Sequence, residues 1–109
     1  MTQRLPVDDE HAPLYSLGQV AEMLQVRQAF LRRLDSFSVV SPRRSAGGQR
    51  RYSRRDISAV QYVVRLTSEG MTLASIRRIM ELEREVAELK EEVERLRARV
   101  AELEGDGPR

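Results

Sequence analysis

From Leu82 to Leu103 an apolar side chain recurs at alternating intervals of four and three: Leu82, Val86, Leu89, Val93, Leu96, Val100 and Leu103. That alternation keeps one narrow apolar stripe on the same side of a slightly under-wound helix, which is the seam of a coiled coil. Every residue between these positions is Glu, Arg, Lys or Ala, so the other faces suit water. A single helix could fold back on its own domain to cover the stripe. Seven consecutive seam positions with charged flanks favour a second helix instead. The expected element is a coiled-coil dimerisation helix over residues 82–104, ended by a Gly/Pro tail at 105–109, in a homodimer.

The seam leaves roughly the first 80 of 109 residues to form a globular part, a marginal size for an independent core. Stabilisation through a partner helix fits that shortage. The net charge of +2 conceals an asymmetry, because residues 27–55 carry nine arginines against the single acid Asp35. That segment reads as a surface for a polyanion, and the rest of the chain is acidic overall. No cysteine is present, which excludes disulfides and thiolate ligands. His11, the only histidine, stands in a polar stretch and reads as a bystander, so no metal is expected. No apolar run approaches the roughly 18 residues of a membrane span, and no signal peptide opens the chain. A soluble cytoplasmic protein is expected. With no nucleophile–base pair, carboxylate dyad or phosphate loop, neither an enzyme nor a cofactor is expected.

Residues 1–13 read as a polar, mobile tail. Ser16 with Gln19 three positions later is a capping box. Leu17, Val20, Ala21 and Leu24 then follow at helical spacing. The pattern breaks near Gln25 and Val26, and a second helix runs from Gln28 to Ser36 with Phe30, Leu31 and Leu34 apolar. Val39 and Val40 suggest an extended arm, Pro42 forbids helix, and Gly47-Gly48 supplies a turn. Gln49 to Tyr52 can return antiparallel, giving a β-hairpin wing. Ser53 with Asp56 caps a third helix that Glu69-Gly70 closes. Thr72 caps the next, with Leu73, Ile76, Ile79 and Met80 inward. The fold class is mainly α: a winged helix-turn-helix domain over 14–81 with a short β-hairpin wing, followed by the long C-terminal helix.

A helix of this kind fits the major groove of double-stranded DNA, where Arg and Gln pair bidentately with guanine and adenine. Arg27, Gln28, Arg32 and Arg33 are the polar positions available for that on the second helix. Arg43, Arg44, Arg50 and Arg51 on the wing suit phosphate contacts, which set affinity and salt dependence. Gln49 accompanies them. Tyr52 either donates its hydroxyl to a phosphate or anchors the wing to the core. Phe30 is either core or a contact to a thymine methyl. Across a parallel helix pair, Glu85 with Lys90, Glu92 with Arg97 and Arg99 with Glu104 are complementary.

These residues resemble the MerR family of bacterial transcription regulators. The resemblance rests on Tyr15-Ser16-Leu17-Gly18-Gln19-Val20-Ala21, Leu31-Arg32, Val40-Ser41-Pro42, Arg51-Tyr52 and Asp56-Ile57. Residues 41–53 and 73–83 are further similar to the HspR heat-shock repressors. The resemblance covers roughly residues 14–83. It implies a repressor of stress genes reading an inverted-repeat operator, with Arg32, Arg51 and Tyr52 on the DNA backbone. It also implies an antiparallel dimer helix, against the parallel charge code. Leu82 to Leu103 would extend roughly 33 Å as a helix, close to the roughly 34–36 Å between successive major-groove half-sites. A protein partner is the implied regulator, a chaperone if the chain is HspR-like. Arg33 and Leu34 stand where the family has an aromatic pair, and Ser38 where glycine is usual. The competing expectation is a coiled-coil interaction adaptor whose basic region binds an acidic protein partner.

Overall fold

Both expected capping boxes are formed, and they set the starts of the helices that begin at Leu17 and Arg54. Ser16 Oγ accepts from the Gln19 amide at 3.2 Å while Gln19 Oε1 accepts from the Ser16 amide at 2.8 Å. Ser53 and Asp56 repeat the exchange at 3.0 and 2.9 Å. Each box satisfies two backbone donors that a helix start leaves without an acceptor. The computed structural model describes residue 5 and residues 8–105. The expected tails fall partly outside these residues, at 1–4, 6–7 and 106–109.

In chain order the elements are β1 (Tyr15–Ser16), α1 (Leu17–Leu24), α2 (Gln28–Ser36), β2 (Arg43–Arg44), β3 (Arg50–Tyr52), α3 (Arg54–Ser68) and α4 (Leu73–Gly105). The fold is thus mainly helical with a small sheet, as expected. Compact units divide between Arg77 and Arg78. In the first, α1 and α2 join through Gln25, which takes a left-handed φ of 54° and closes α1 with its amide on Ala21 and Glu22. The buried core comprises Val20 and Ala21 of α1, Leu31 and Leu34 of α2, and Val60, Val63 and Leu66 of α3, with Leu73 and Ile76 from the start of α4. Fully burying Leu31 or Leu34 stabilises the fold by about 1.5–3 kcal/mol each.

The wing differs from expectation in three ways. Its first arm is Arg43–Arg44, not Val39-Val40. The two valines are buried, and their amides turn back to the Leu34 carbonyl at 2.8 and 3.3 Å, so they finish α2 and fill the core. The connection is a five-residue loop over 45–49, closed by the Ser45 amide on the Gln49 carbonyl at 2.7 Å, so Gln49 lies in the loop. Gly48 supplies the left-handed residue at φ 82°. Finally, β1 adds a third antiparallel strand, with Tyr15 opposite Tyr52 and Ser16 opposite Arg51, in the sheet order β1-β3-β2. A two-stranded ribbon is marginal in water, and this added strand supports it.

Residues 8–13, expected within a mobile tail, are tied to the start of α3. The Arg55 amide donates to the Glu10 carbonyl at 3.0 Å, and Arg54 Nη2 donates to the Asp8 carbonyl at 3.0 Å. The second unit is α4 beyond Arg77. There all seven seam residues are exposed in the single chain, between 42% for Leu82 and 64% for Leu89. Arg95 pairs with Glu92 and Arg97 with Glu94, each one turn away on the same helix. Among the described residues no helix is long and apolar enough to cross a membrane.

Ser38 holds a φ of 56° just after α2, where a side chain is strained. Replacing Ser38 with Gly should raise the unfolding free energy by about 0.5 kcal/mol, relief of strain outweighing the extra freedom of the unfolded chain. A denaturant midpoint that falls instead would show that the strain is absent.

Candidate nucleic-acid interface

Along α2, Leu31 and Leu34 point into the core, which directs the opposite side of the helix to solvent. Gln28, Arg32 and Asp35 follow at i, i+4 and i+7 and share one flank. Arg32 Nη2 donates to Gln28 Oε1 at 3.3 Å, joining two of the expected base-reading residues. Ala29 and Arg33 occupy the next strip of surface, both exposed. The Arg33 guanidinium lies 5.5 Å from the Phe37 ring centroid, a cation–π contact at the end of the helix. Arg27 is the exposed N-cap residue of α2 and makes no side-chain cap. Phe30 is half-buried.

Strand alternation sorts the wing's cations onto two faces. Arg43 is directly opposite Arg51, and Arg44 directly opposite Arg50. Arg43 and Arg51 form no ion pair among the described residues. Their charges lie side by side on one face, where like charges destabilise the sheet unless an anion joins them. Arg44 and Arg50 face the other way and converge on Asp35 near the end of α2. Arg50 Nε donates to Asp35 Oδ2 at 2.8 Å, and Arg44 Nη2 donates to the same oxygen at 3.2 Å. Arg44 Nη1 also holds the Gly48 carbonyl at 3.0 Å. The Asp35 and Arg50 side chains are 16% and 20% exposed, shielded enough for their attraction to survive solvent screening in part.

Between the wing and the first turn of α1 lies an open cleft of about 360 Å³. Ser16, the cap of α1, lines it with Leu17 and Gly18 of that helix, Arg32 from α2, and Arg44, Gly48, Gln49 and Arg50 from the wing. Four of the ten residues expected at a DNA surface therefore meet in one place. Arg27, Arg33, Arg43 and Arg51 lie outside the cleft, and Gln28 flanks it through Arg32. Sequence reasoning passed over Asp35 and the first turn of α1. The one signal for Asp35 was its standing as the lone acid among nine arginines.

Tyr52 is a correction. Its side chain is fully buried, which removes it from reach of a phosphate and selects the anchoring role of the two considered. Its hydroxyl has no hydrogen-bond partner among the described residues. Burial raises its pKa, partly opposed by the nearby Arg50 charge.

Residues 15–83 match the family model described as MerR HTH family regulatory protein. Over 95 residues the chain is 42% identical to HspR of Streptomyces coelicolor, named as a heat shock protein, covering 86% of this chain and 58% of that one. It is 27% identical over 73 residues to the HTH-type transcriptional regulator GlnR of Bacillus anthracis, covering 67% of this chain and 57% of that one. The chain thus spans less than two thirds of the length of either relative. Among solved structures, HiNmlR, a MerR family regulator lacking the sensor domain and bound to promoter DNA, superposes with a TM-score of 0.59 at 22% identity. That likeness covers 83% of this chain and 79% of the other, and it establishes the fold.

Removing the Tyr52 hydroxyl separates an anchor from a phosphate contact. Tyr52→Phe should keep or raise stability, by up to about 1–3 kcal/mol, since no protein hydrogen bond is lost and a buried unpartnered hydroxyl is removed. Its affinity for duplex DNA should match the parent's in a gel shift. A marked loss of affinity at unchanged stability would return Tyr52 to the interface.

Proposed function

The chain belongs to the MerR helix-turn-helix family of regulatory proteins, and from that premise we propose that it is a homodimeric, sequence-specific DNA-binding transcription regulator acting as a repressor. The observation that carries this reading is the arrangement of α2 beside the wing. Gln28, Arg32 and Arg33 stand outward on a helix whose other side is core. Next to it the wing carries the Arg43–Arg51 couple, which has no ion pair among the described residues. A helix with such side chains reads base edges in the major groove, while wing cations fix register on the phosphates. Arg27 and Gln49 add polar contacts at the edges of that surface. Likeness to a heat shock protein supports stress genes as the target and an inverted repeat as the operator. It also suggests a chaperone as the regulatory partner.

Dimerisation through Leu82, Val86, Leu89, Val93, Leu96, Val100 and Leu103 is supported by the exposure of all seven in the single chain. A row of that length in contact with water is unfavourable by about 25 cal/mol for each Å² left uncovered. The antiparallel arrangement is favoured despite the parallel charge code. Glu92 and Arg97, one of the parallel couples, each have a partner within their own helix and need none across the seam.

Gel shifts at several salt concentrations, comparing an inverted-repeat duplex selected from random sequence with unselected duplex, test the reading. Binding should favour the selected duplex and weaken steeply with salt. No affinity for any duplex would favour the adaptor with an acidic protein partner. Arg51→Ala should weaken binding to all duplexes alike and lower the salt slope by about one. A change of sequence preference at constant slope would contradict its phosphate role. Val93→Asp places a charge in the seam and should halve the mass in sedimentation. An unchanged mass would remove α4 as the dimer contact.

A further inference from the structure

The cleft beside α1 holds more cationic capacity than its own contacts consume. Arg50 engages Asp35 through Nε alone, which leaves both Nη amines without a partner among the described residues. Arg32 spends one Nη on Gln28 and keeps its other donors. The capping box occupies the amides of Ser16 and Gln19, the β1–β3 ladder takes that of Leu17, and that of Gly18 lies in the first turn, where a helix offers no acceptor of its own. These donors line one opening and are joined there by Arg44. With three guanidinium groups and one carboxylate behind them, the site favours a small monoanion with several acceptor oxygens.

We propose that the cleft seats one phosphodiester group of the DNA backbone, and that Asp35 is the positioning residue that shapes it. The proposal rests on the DNA-regulator reading above and deepens it. Asp35 carries the wrong charge to attract DNA. Its value lies in holding Arg44 and Arg50 together, since these directly opposed cations would otherwise repel and splay. Both bonds end on the same Oδ2, so the two guanidinium groups are fixed relative to each other and to α2, the helix placed to read bases. Backbone grip and base reading are thereby kept in a single register.

Charge counting and geometry make opposite predictions for Asp35→Asn. Removing an acid from a DNA surface should tighten binding if charge alone matters. Loss of the shared anchor should instead weaken binding to the selected duplex about tenfold, the scale of one charge-assisted hydrogen bond. Affinity for unselected duplex should stay level or rise. A second measurement uses the unaltered protein and the selected duplex, with each phosphate replaced in turn by a neutral methylphosphonate. One position per half-site should stand out, with a loss of about tenfold. Asp35→Asn should lose most of that sensitivity at the same position, and Asp35→Glu should regain part of it. Equal or tighter binding of the selected duplex by Asp35→Asn overturns the proposal. So does a flat methylphosphonate profile on the unaltered protein, which decides the matter even if the variant does not fold. Failure of the unaltered protein to select any duplex is a different result, and it removes the DNA-regulator reading together with the clamp.

Discussion

A ribbon made of a two-residue and a three-residue strand has too little surface of its own to persist in water. The burial of Tyr52 is what holds this one. Removing about 150–250 Å² of aromatic side chain from solvent stabilises by roughly 4–6 kcal/mol at about 25 cal/mol per Å². Leaving a hydroxyl without a protein partner costs about 1–3 kcal/mol, so the ring's contribution wins. Once Tyr52 is inside, strand alternation decides the rest. Arg50 shares its face and turns toward α2, while Arg51 must point away. Strand β1 closes the other edge of β3 and fixes the same choice from the opposite side. The placement of each wing cation follows from one tyrosine.

Nine arginines in so short a stretch would strain any fold if all were free. The structure divides them. Arg44 and Arg50 share Asp35, and Arg54 and Arg55 are occupied by residues 8–10. Arg27, Arg32, Arg33, Arg43 and Arg51 remain without an ion pair among the described residues. Repulsion is thus confined to the residues for which an outside anion is the natural partner. Arg54 and Arg55, held by residues 8–10, serve the fold.

Features encoded within a few residues were legible in the sequence. Both capping boxes, the break at Gln25, the bounds of α2 and the apolar faces of α1 and early α4 need no distant partner to be recognised. Val39 and Val40 misled because a β-branched pair looks like a strand. Here the Leu34 carbonyl captures both amides and turns them into the end of a helix. The strand β1 left no trace, since two residues carry no periodicity and Ser16 already read as a cap. Asp35 was conspicuous, yet its partners come 9 and 15 positions later, beyond any local pattern. Tyr52 stayed divided between two roles because strand alternation alone does not say which face is buried.

The arginine pair on Asp35 also bears on how the molecule meets changes in its ionic surroundings. Mobile ions readily shield groups that project into solvent, as Arg43 does. They shield the half-buried Asp35–Arg50 contact far less. Rising electrolyte therefore weakens the hold of the wing's outer face on an anion well before it disturbs the wing's posture. Under the function proposed above, a cell that concentrates its salts would weaken attachment to DNA without deforming the wing, and dilution would restore it with no refolding step.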